Sequence, residues 1–504
     1  LYVLDESGGE TAVRCRGGYN IPVAGAPSPD VVTLPVPERL YVPLMTPRFS
    51  FDELRVEEGA RVTRGDILAV DSSSYSIPLL APLSGTVRLS EREGHVVLED
   101  LETPGDHGDP GDLQGEGSRE RAESPESQDD PVVQGNGISA ARLLELGVWQ
   151  FFADARSRTP VDPAESPDIL VVAALSLEPF VVGGEALLSD ETDGLARGVA
   201  RLHSLFPACA VCVAVPDSPE PLAVRVREAA RKCGCARVLR VPMRYPFDDP
   251  ALLDRLAGLA TEPHLRIWTL SLQGLLALDR AATHSSPCTE RVFSLAGPSV
   301  IDPMHLRAYA GYPIDAILEG RLGRGPWRVV DGGLLKGSTL DRGPKASDEG
   351  CEVPDERRVP GGVEGLDSEC EGLTVLPEHD SRTFLGFARP GFMHRSYSRS
   401  FAGTYRPELS LHFDDALAGE LRPCISCGQC AEVCPALIMP NVLHKALYAR
   451  DLERAIDLRV DLCIECGLCS YVCPSKIDLR FQFITAKAEI KADMEAAAAL
   501  EAEA

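Results

Sequence analysis

Two strings near the C-terminus constrain this chain more than any other feature. CISCGQCAEVCP holds Cys424, Cys427, Cys430 and Cys434, and CIECGLCSYVCP holds Cys463, Cys466, Cys469 and Cys473. Both read C-x-x-C-x-x-C-x-x-x-C-P, the ligand run of bacterial-type [4Fe–4S] centres. Thiolates at this spacing wrap one turn of chain around a cluster corner, and the fourth ligand comes from the other run. The spacing therefore assigns Cys424, Cys427, Cys430 and Cys473 to cluster one, and Cys463, Cys466, Cys469 and Cys434 to cluster two. Gly428 and Gly467 let the backbone pass close to inorganic sulfide, and Pro435 and Pro474 turn the chain away after the last ligand. Zinc and disulfides are the competing uses of cysteine, but zinc takes paired C-x-x-C knuckles rather than a four-Cys run ending in Pro.

The 504 residues suffice for about three domains. A net charge of −26 argues against nucleic acid and anionic lipid as direct partners. No apolar run of about 18 residues suggests a membrane span, and LYVLDESGGE lacks the basic and apolar regions of a signal peptide. Thiolate ligands must stay reduced, which suits the cytoplasm. The remaining cysteines (Cys15, Cys209, Cys212, Cys233, Cys235, Cys288, Cys351 and Cys370) form no convincing set. Cys209 and Cys212 stand in ACAVCVAV, which reads as a buried strand rather than a redox pair.

Along the chain the expected fold class is α/β multidomain. Residues 1–101 form an N-terminal region in which 38–100 alternate short apolar runs with Gly and Pro turns. LRVEEGARVTRGDILAVD followed by IPLLAPLSGTVRLSE resembles the β barrel-sandwich hybrid of biotinyl and lipoyl domains. No Lys stands between Arg64 and Arg88, so the swinging-arm chemistry of those domains is not expected. Residues 102–137 are acidic and nearly free of large apolar side chains, and read as a disordered insertion. Residues 138–340 alternate strand and helix patterns and read as a central doubly wound α/β domain with a β extension. ISAARLLELGVWQFF reads as one amphipathic helix, and Gly183–Gly184 as an ordinary turn. An acidic linker at 341–380 and a connecting segment at 381–410 lead to a C-terminal α-helical dicluster ferredoxin domain at 411–504. His305, His394 and Lys336 stand beside glycines or aromatics and are given no catalytic role.

CRGGYNIPVAGAP, LLELGVWQFF, FSLAGPSVIDP, VVDGGLLKGSTL and FLGFARPGFM are similar to the A subunit of the Na⁺-translocating NADH:quinone oxidoreductase (Nqr). The paired cysteine runs are similar to the C-terminus of the C subunit of the related Rnf complex. The resemblance implies an Nqr-A-like body with an Rnf-C-like cluster domain: a peripheral subunit on the cytoplasmic face of the cell membrane, in an ion-translocating oxidoreductase. Its partners would be the membrane subunits of an Rnf/Nqr-type complex and a soluble electron carrier (NADH, ferredoxin or flavodoxin), and its cofactors two [4Fe–4S] clusters. FMN and NADH are further cofactors of the family, but the G-G-A-G-F-P loop that accompanies them is replaced here by GNGISAARLLELG. Two alternatives stand beside the electron conduit: a docking scaffold of the same complex, and a dicluster subunit of a soluble flavin-linked dehydrogenase.

Overall fold

The computed structural model describes residues 3–7, 10–14, 16–21, 23–102, 138–188, 192–232, 236–259, 264–324, 326–340, 365–378 and 421–503. The acidic insertion expected at 102–137, apart from Glu102, lies outside the described residues, as does the connecting segment at 381–410.

A seven-stranded sheet organises the body. Its order is Val3–Ser7, Glu10–Arg14, Arg237–Val241, Ala210–Pro216, Ile169–Ala173, Ile267–Ser271 and Phe152–Asp154. The five central strands run parallel, and one antiparallel strand closes each edge. Period-two alternation splits Arg237–Val241, Ala210–Pro216, Ile169–Ala173 and Ile267–Ser271 between two cores. Leu170, Val172, Val211, Val213, Val215, Trp268 and Leu270 face one core, with the helices Thr192–Leu205, Pro221–Lys232 and Leu272–His284. Ile169, Val171, Cys212, Ala214, Leu239, Val241 and Ile267 face the other. That second face receives the short helix Pro250–Ala257 and the cysteine-bearing segment.

Two N-terminal strands of this sheet come from residues that the sequence pattern groups with the small β region. Glu10–Arg14 pairs in parallel with Arg237–Val241 more than 200 residues away, a contact that no local pattern encodes. A second difference concerns 341–380. Gly372–Pro377 is no linker: it lies inside a six-stranded sheet ordered Ser338–Thr339, Trp327–Asp331, Gly372–Pro377, Glu290–Ala296, Met304–Tyr309 and Val31–Thr33. Its GLTVLP run is short but apolar, with Leu373 and Val375 buried, and the surrounding acidic residues hid it. ISAARLLELGVWQFF is not one helix. Ser139 caps Ala140–Glu145, Gly147 at φ +70° breaks the chain, and Trp149–Phe151 forms a separate turn.

Residues 40–99 build two small sheets, Leu40–Pro43, His95–Glu99, Gly85–Arg88 and Arg61–Val62, and Glu53–Leu54, Ile67–Asp71 and Ile77–Leu80. Leu40, Leu68, Ile77, Leu83 and Leu98 are fully buried between them and continue the first core. The C-terminal segment is helical: Gln429–Val433, Pro440–Tyr448, Leu452–Asp457, Leu468–Tyr471 and Leu479–Glu503. Among the described residues no helix is long and apolar enough to cross a membrane.

Trp149 anchors the first core. It stacks on Phe152 at 4.8 Å, meets Trp268 edge-on at 6.0 Å, and donates its indole N–H to the Val161 carbonyl at 2.9 Å. Trp149→Ala removes these contacts and leaves a void, and is expected to cost ~3–5 kcal/mol in a denaturant-unfolding measurement.

Candidate iron–sulfur site

The two cysteine runs are copies of one local structure. They are offset by 39 residues (424 to 463), and their backbones repeat at that offset. Ser426 and Glu465 both adopt positive φ (55° and 59°), as do Gly428 and Gly467 (79° and 78°) and Leu437 and Lys476 (57° and 56°). Gly428 and Gly467 each start a short helix, Gln429–Val433 and Leu468–Tyr471. The chain then turns at Pro435 and Pro474 into helices that begin at Pro440 and Leu479.

The eight thiols gather as two groups of four. One cavity, about 360 Å³, is lined by Cys463, Cys466, Cys469 and Cys434. A second, about 340 Å³, is lined by Cys424, Cys427, Cys430 and Cys473. Each run thus gives three cysteines to one cavity and its fourth to the other. All eight are free thiols. Among the described residues no group of three or more His, Cys, Asp or Glu side chains closes as ligands of a single metal ion would. A four-iron cluster makes a different demand, since each thiolate binds its own iron at a separate corner.

The donor set fits such a cluster. Burial pushes the thiols up, Cys466 to about 12 and Cys463 and Cys430 to about 11. Nearby cations oppose that burial: Lys336 at Cys466, Lys487 at Cys463 and Arg255 at Cys434. Such thiols become anionic when a metal displaces their protons. The backbone N–H groups of Ser426 and Glu465 donate to the sulfurs of Cys424 and Cys463, each at 3.4 Å. Hydrogen bonds of this kind tune cluster potentials.

The second run is held by a clamp that sequence reasoning missed. Five consecutive backbone carbonyls each accept a hydrogen bond from a side chain. Arg255 donates to Leu462 at 2.9 Å, Lys487 to Cys463 at 3.1 Å, and Arg158 to Ile464 at 3.0 Å. Arg480 donates to Glu465 at 2.9 Å and the Tyr245 hydroxyl to Cys466 at 2.7 Å. Arg158, Tyr245 and Arg255 come from the body, Arg480 and Lys487 from the C-terminal helix. Behind them the buried Asp249 carboxylate binds Arg158 at 2.6 Å and Lys336 at 3.2 Å. Burial acts to raise the Asp249 carboxyl, but Lys336 and Arg158 together hold it below its usual value. The glycine pair of CRGGYN also docks here. Gly18 N–H donates to the Val433 carbonyl at 2.8 Å, and a Cβ on Gly17 would stand 2.5 Å from the Cys434 carbonyl oxygen.

The other residues singled out from the sequence lie elsewhere. Cys209 and Cys212 are buried in and beside strand Ala210–Pro216, and burial pushes their thiols to about 12 and about 11. Gly183 is not a plain turn but the cap of the one-turn helix Gly184–Leu187. With Ser176, Pro216, Met243 and His305 it lines a cavity of about 840 Å³ beyond the carboxyl ends of the parallel strands. The His305 ring Nδ1 meets the Ser28 carbonyl at 2.5 Å, and burial lowers its pKa. Lys336 belongs to the clamp's charge network. His394 and Cys15, Cys233, Cys235 and Cys351 lie outside the described residues.

Tyr245 is 1% exposed, so Tyr245→Phe leaves the Cys466 carbonyl without its partner in a dry site. The expected loss is ~1–3 kcal/mol in equilibrium unfolding. Asp248 gives a pH-dependent test. Its carboxylate accepts the Leu177 N–H at 2.8 Å, and burial raises its pKa to about 6 against the pull of Lys336. Between the unfolded value near ~3.9 and the folded one, the native state binds the extra proton, so stability falls as pH rises through that window. Asp248→Asn keeps an acceptor and removes the charge. It is expected to stabilise the chain by ~2 kcal/mol at pH 7.5 and by about half of that at pH 5, read from denaturant unfolding at both pH values.

Comparisons with known proteins bear on both parts of the chain. Residues 418–477 match the family model described as a 4Fe-4S dicluster domain, and residues 292–342 match the NQRA C-terminal domain. The chain is 23% identical over 451 residues to the A subunit of the Na(+)-translocating NADH-quinone reductase of Marinomonas sp. (strain MWYL1), covering 87% of this chain and 89% of the relative. It is 26% identical over 460 residues to the same subunit of Actinobacillus pleuropneumoniae serotype 3 (strain JL03), covering 88% and 91%. A solved NAD+-reducing [NiFe]-hydrogenase in the H2-reduced state aligns at 16% identity and a TM-score of 0.37, over 68% of this chain and 62% of that one. This chain therefore has a body like the A subunit of the Na(+)-translocating NADH-quinone reductase, joined to a 4Fe-4S dicluster domain.

Proposed function

We propose that this chain is the electron-transfer subunit of an Nqr-type complex. Cys424, Cys427, Cys430 and Cys473 hold one [4Fe–4S] cluster, and Cys463, Cys466, Cys469 and Cys434 a second. The observation that carries this reading is the crossed gathering of the thiols into two groups of four. A bound cluster supplies reversible one-electron chemistry at a potential set by its surroundings. The chain's own residues do the rest. Because Cys434 and Cys473 each belong to one run by sequence and to the other by cavity, the two sites are held side by side. Tyr245, Arg158 and the C-terminal helix exclude water from the second site and hold its backbone fixed.

On this reading the chain is a peripheral component of an ion-translocating oxidoreductase, on the cytoplasmic face of the membrane. It passes electrons between a soluble partner and the membrane subunits of an Rnf/Nqr-type complex. The likeness of the body to one subunit of a Na(+)-translocating quinone reductase supports this placement. The small β unit near residues 38–100 is read as a barrel-sandwich hybrid, and the body sheet as doubly wound. The cavity near His305 is not assigned to NADH or FMN. No Lys or Arg stands among its described lining residues to meet a phosphate, and its helix is one turn long.

The test is anaerobic iron and sulfide quantitation on the purified chain, then EPR after NADH and after dithionite. About eight irons and two [4Fe–4S] signals per chain are expected, the signals appearing with dithionite. Cys434→Ala should remove one signal and spare the other. A chain without iron after reconstitution, or a variant that keeps both signals, would end this reading. Reduction by NADH alone would instead place a nicotinamide site in this chain.

A further inference from the structure

The internal repeat makes a comparison that neither run allows alone. Val460, Ile464 and Cys466 of the second run are 2, 4 and 8% exposed, because the body and the C-terminal helix cover them. Their counterparts 39 positions earlier are Leu421, Ile425 and Cys427. Leu421 is 73% exposed, Ile425 is 63% exposed, and Cys427 is exposed as well. Among the described residues, the apolar face that the body covers in one copy is therefore bare in the other. Isolated exposed side chains are ordinary on a surface, but here the pair flanks and enters a cysteine run.

The charge around this face differs from that of the whole chain. The chain carries −26, yet three basic side chains, Arg422, Lys445 and Lys476, stand beside the first run, against one described acid within it, Glu432. The exposed Lys445 donates to the Ser426 hydroxyl at 2.9 Å. The backbone N–H of the exposed Arg422 donates to the Ser475 carbonyl at 2.9 Å, which brings the half-buried Lys476, the next residue, to the same side. Three cations beside an apolar patch on an acidic molecule orient an acidic partner toward that patch.

We propose that the face formed by Leu421, Ile425 and Cys427 is the docking site for a small acidic one-electron carrier protein, which exchanges electrons there with cluster one. The inference rests on the cluster reading above and adds to it which cluster meets the carrier and what the carrier's surface must be. The second run, with Ile464 and Cys466 buried, then faces the body, and among the eight cysteines Cys427 of the first run is the exposed one. The step moves a single electron, with no bond made or broken: the reduced carrier is oxidised and the chain reduced, or the reverse.

The test uses the full, iron-loaded chain and a fluorescently labelled plant-type [2Fe–2S] ferredoxin as the acidic probe, with binding read by anisotropy. The parent should bind, and the affinity should fall steeply as salt is raised. Leu421→Glu and Lys445→Glu lie outside the cysteine ligands, and each should weaken binding about tenfold or more while the EPR signals of both clusters stay unchanged. A parent that does not bind, variants that bind as the parent does, or salt-independent binding would overturn the proposal. So would Leu421→Glu releasing the chain from its membrane subunits, or dissolving a dimer seen by sedimentation, since the face would then belong to one of those contacts. Iron content is measured separately. A chain that binds the probe but holds no iron would overturn the cluster reading and leave the docking face standing.

Discussion

Five backbone carbonyls in a row, from Leu462 to Cys466, cannot be left in a dry interface without donors. The rest of the molecule is arranged around supplying them. A cysteine run that wraps a cluster adopts positive φ at alternating points and so turns its carbonyls outward, away from any helix or sheet ladder. In the second run these groups are met by Arg158, Tyr245 and Arg255 from the body and by Arg480 and Lys487 from the last helix. Four of the five donors are cations, so the bonds are of the stronger, charge-assisted kind. Bringing four cations to one loop would be unfavourable by itself. Asp249 offsets part of this through Arg158 and Lys336, and Glu465 pairs with Lys487.

The clamp also explains how the sheet is finished. A parallel sheet needs cover on both faces. Here one face has three long helices, while the other has the single short helix Pro250–Ala257 and the cysteine segment. Val433, Leu468, Val472 and Phe483 lie in the same core as Val171, Ala214 and Leu239. The dicluster segment therefore provides the cover that further helices would give in a self-contained sheet. The close approach of Gly17 to the Cys434 carbonyl follows from the same need to bring backbones together.

How much of this was legible in the sequence depends on the range of the physical cause. The eight cysteines were legible as two runs of one local spacing, which the chain folds as two copies of one form with the thiols gathered around two cavities. The order of strands and helices from 169 to 241 was legible from hydrophobic period, whereas Pro250–Ala257, Ile267–Ser271 and Leu272–His284 were not singled out. The strands at 3–14 were not, because Glu10–Arg14 enters the sheet beside Arg237–Val241, beyond position 236, and Val3–Ser7 follows it there as the edge. Gly372–Pro377 was hidden by acidic neighbours, although its alternating Leu and Val were the available signal. Arg158, Tyr245 and Arg255 carried no local mark, since each acts on a carbonyl more than 200 residues away. Lys336 drew notice only for its glycine neighbours, and its role as a counter-charge depends on Asp249 arriving from another element.

Two copies of one motif in two different settings give the segment a polarity that sequence symmetry alone would deny it. A symmetric pair of sites would offer the same face to every partner, and a carrier could meet either. Burying the second run against the body removes that choice. The covered run is clamped by cations and, through Ile464, Cys466 and Leu468, continuous with the core of the sheet. Cations there favour the more negative, reduced form of a cluster, while burial opposes it. The first run also has cations beside it, but its Leu421–Cys427 side is open to water, where added charge is screened. The two sites thus differ in access and in the terms that set their potentials, even though their ligand spacing is identical. The difference arises from one act of packing rather than from any change in the motif.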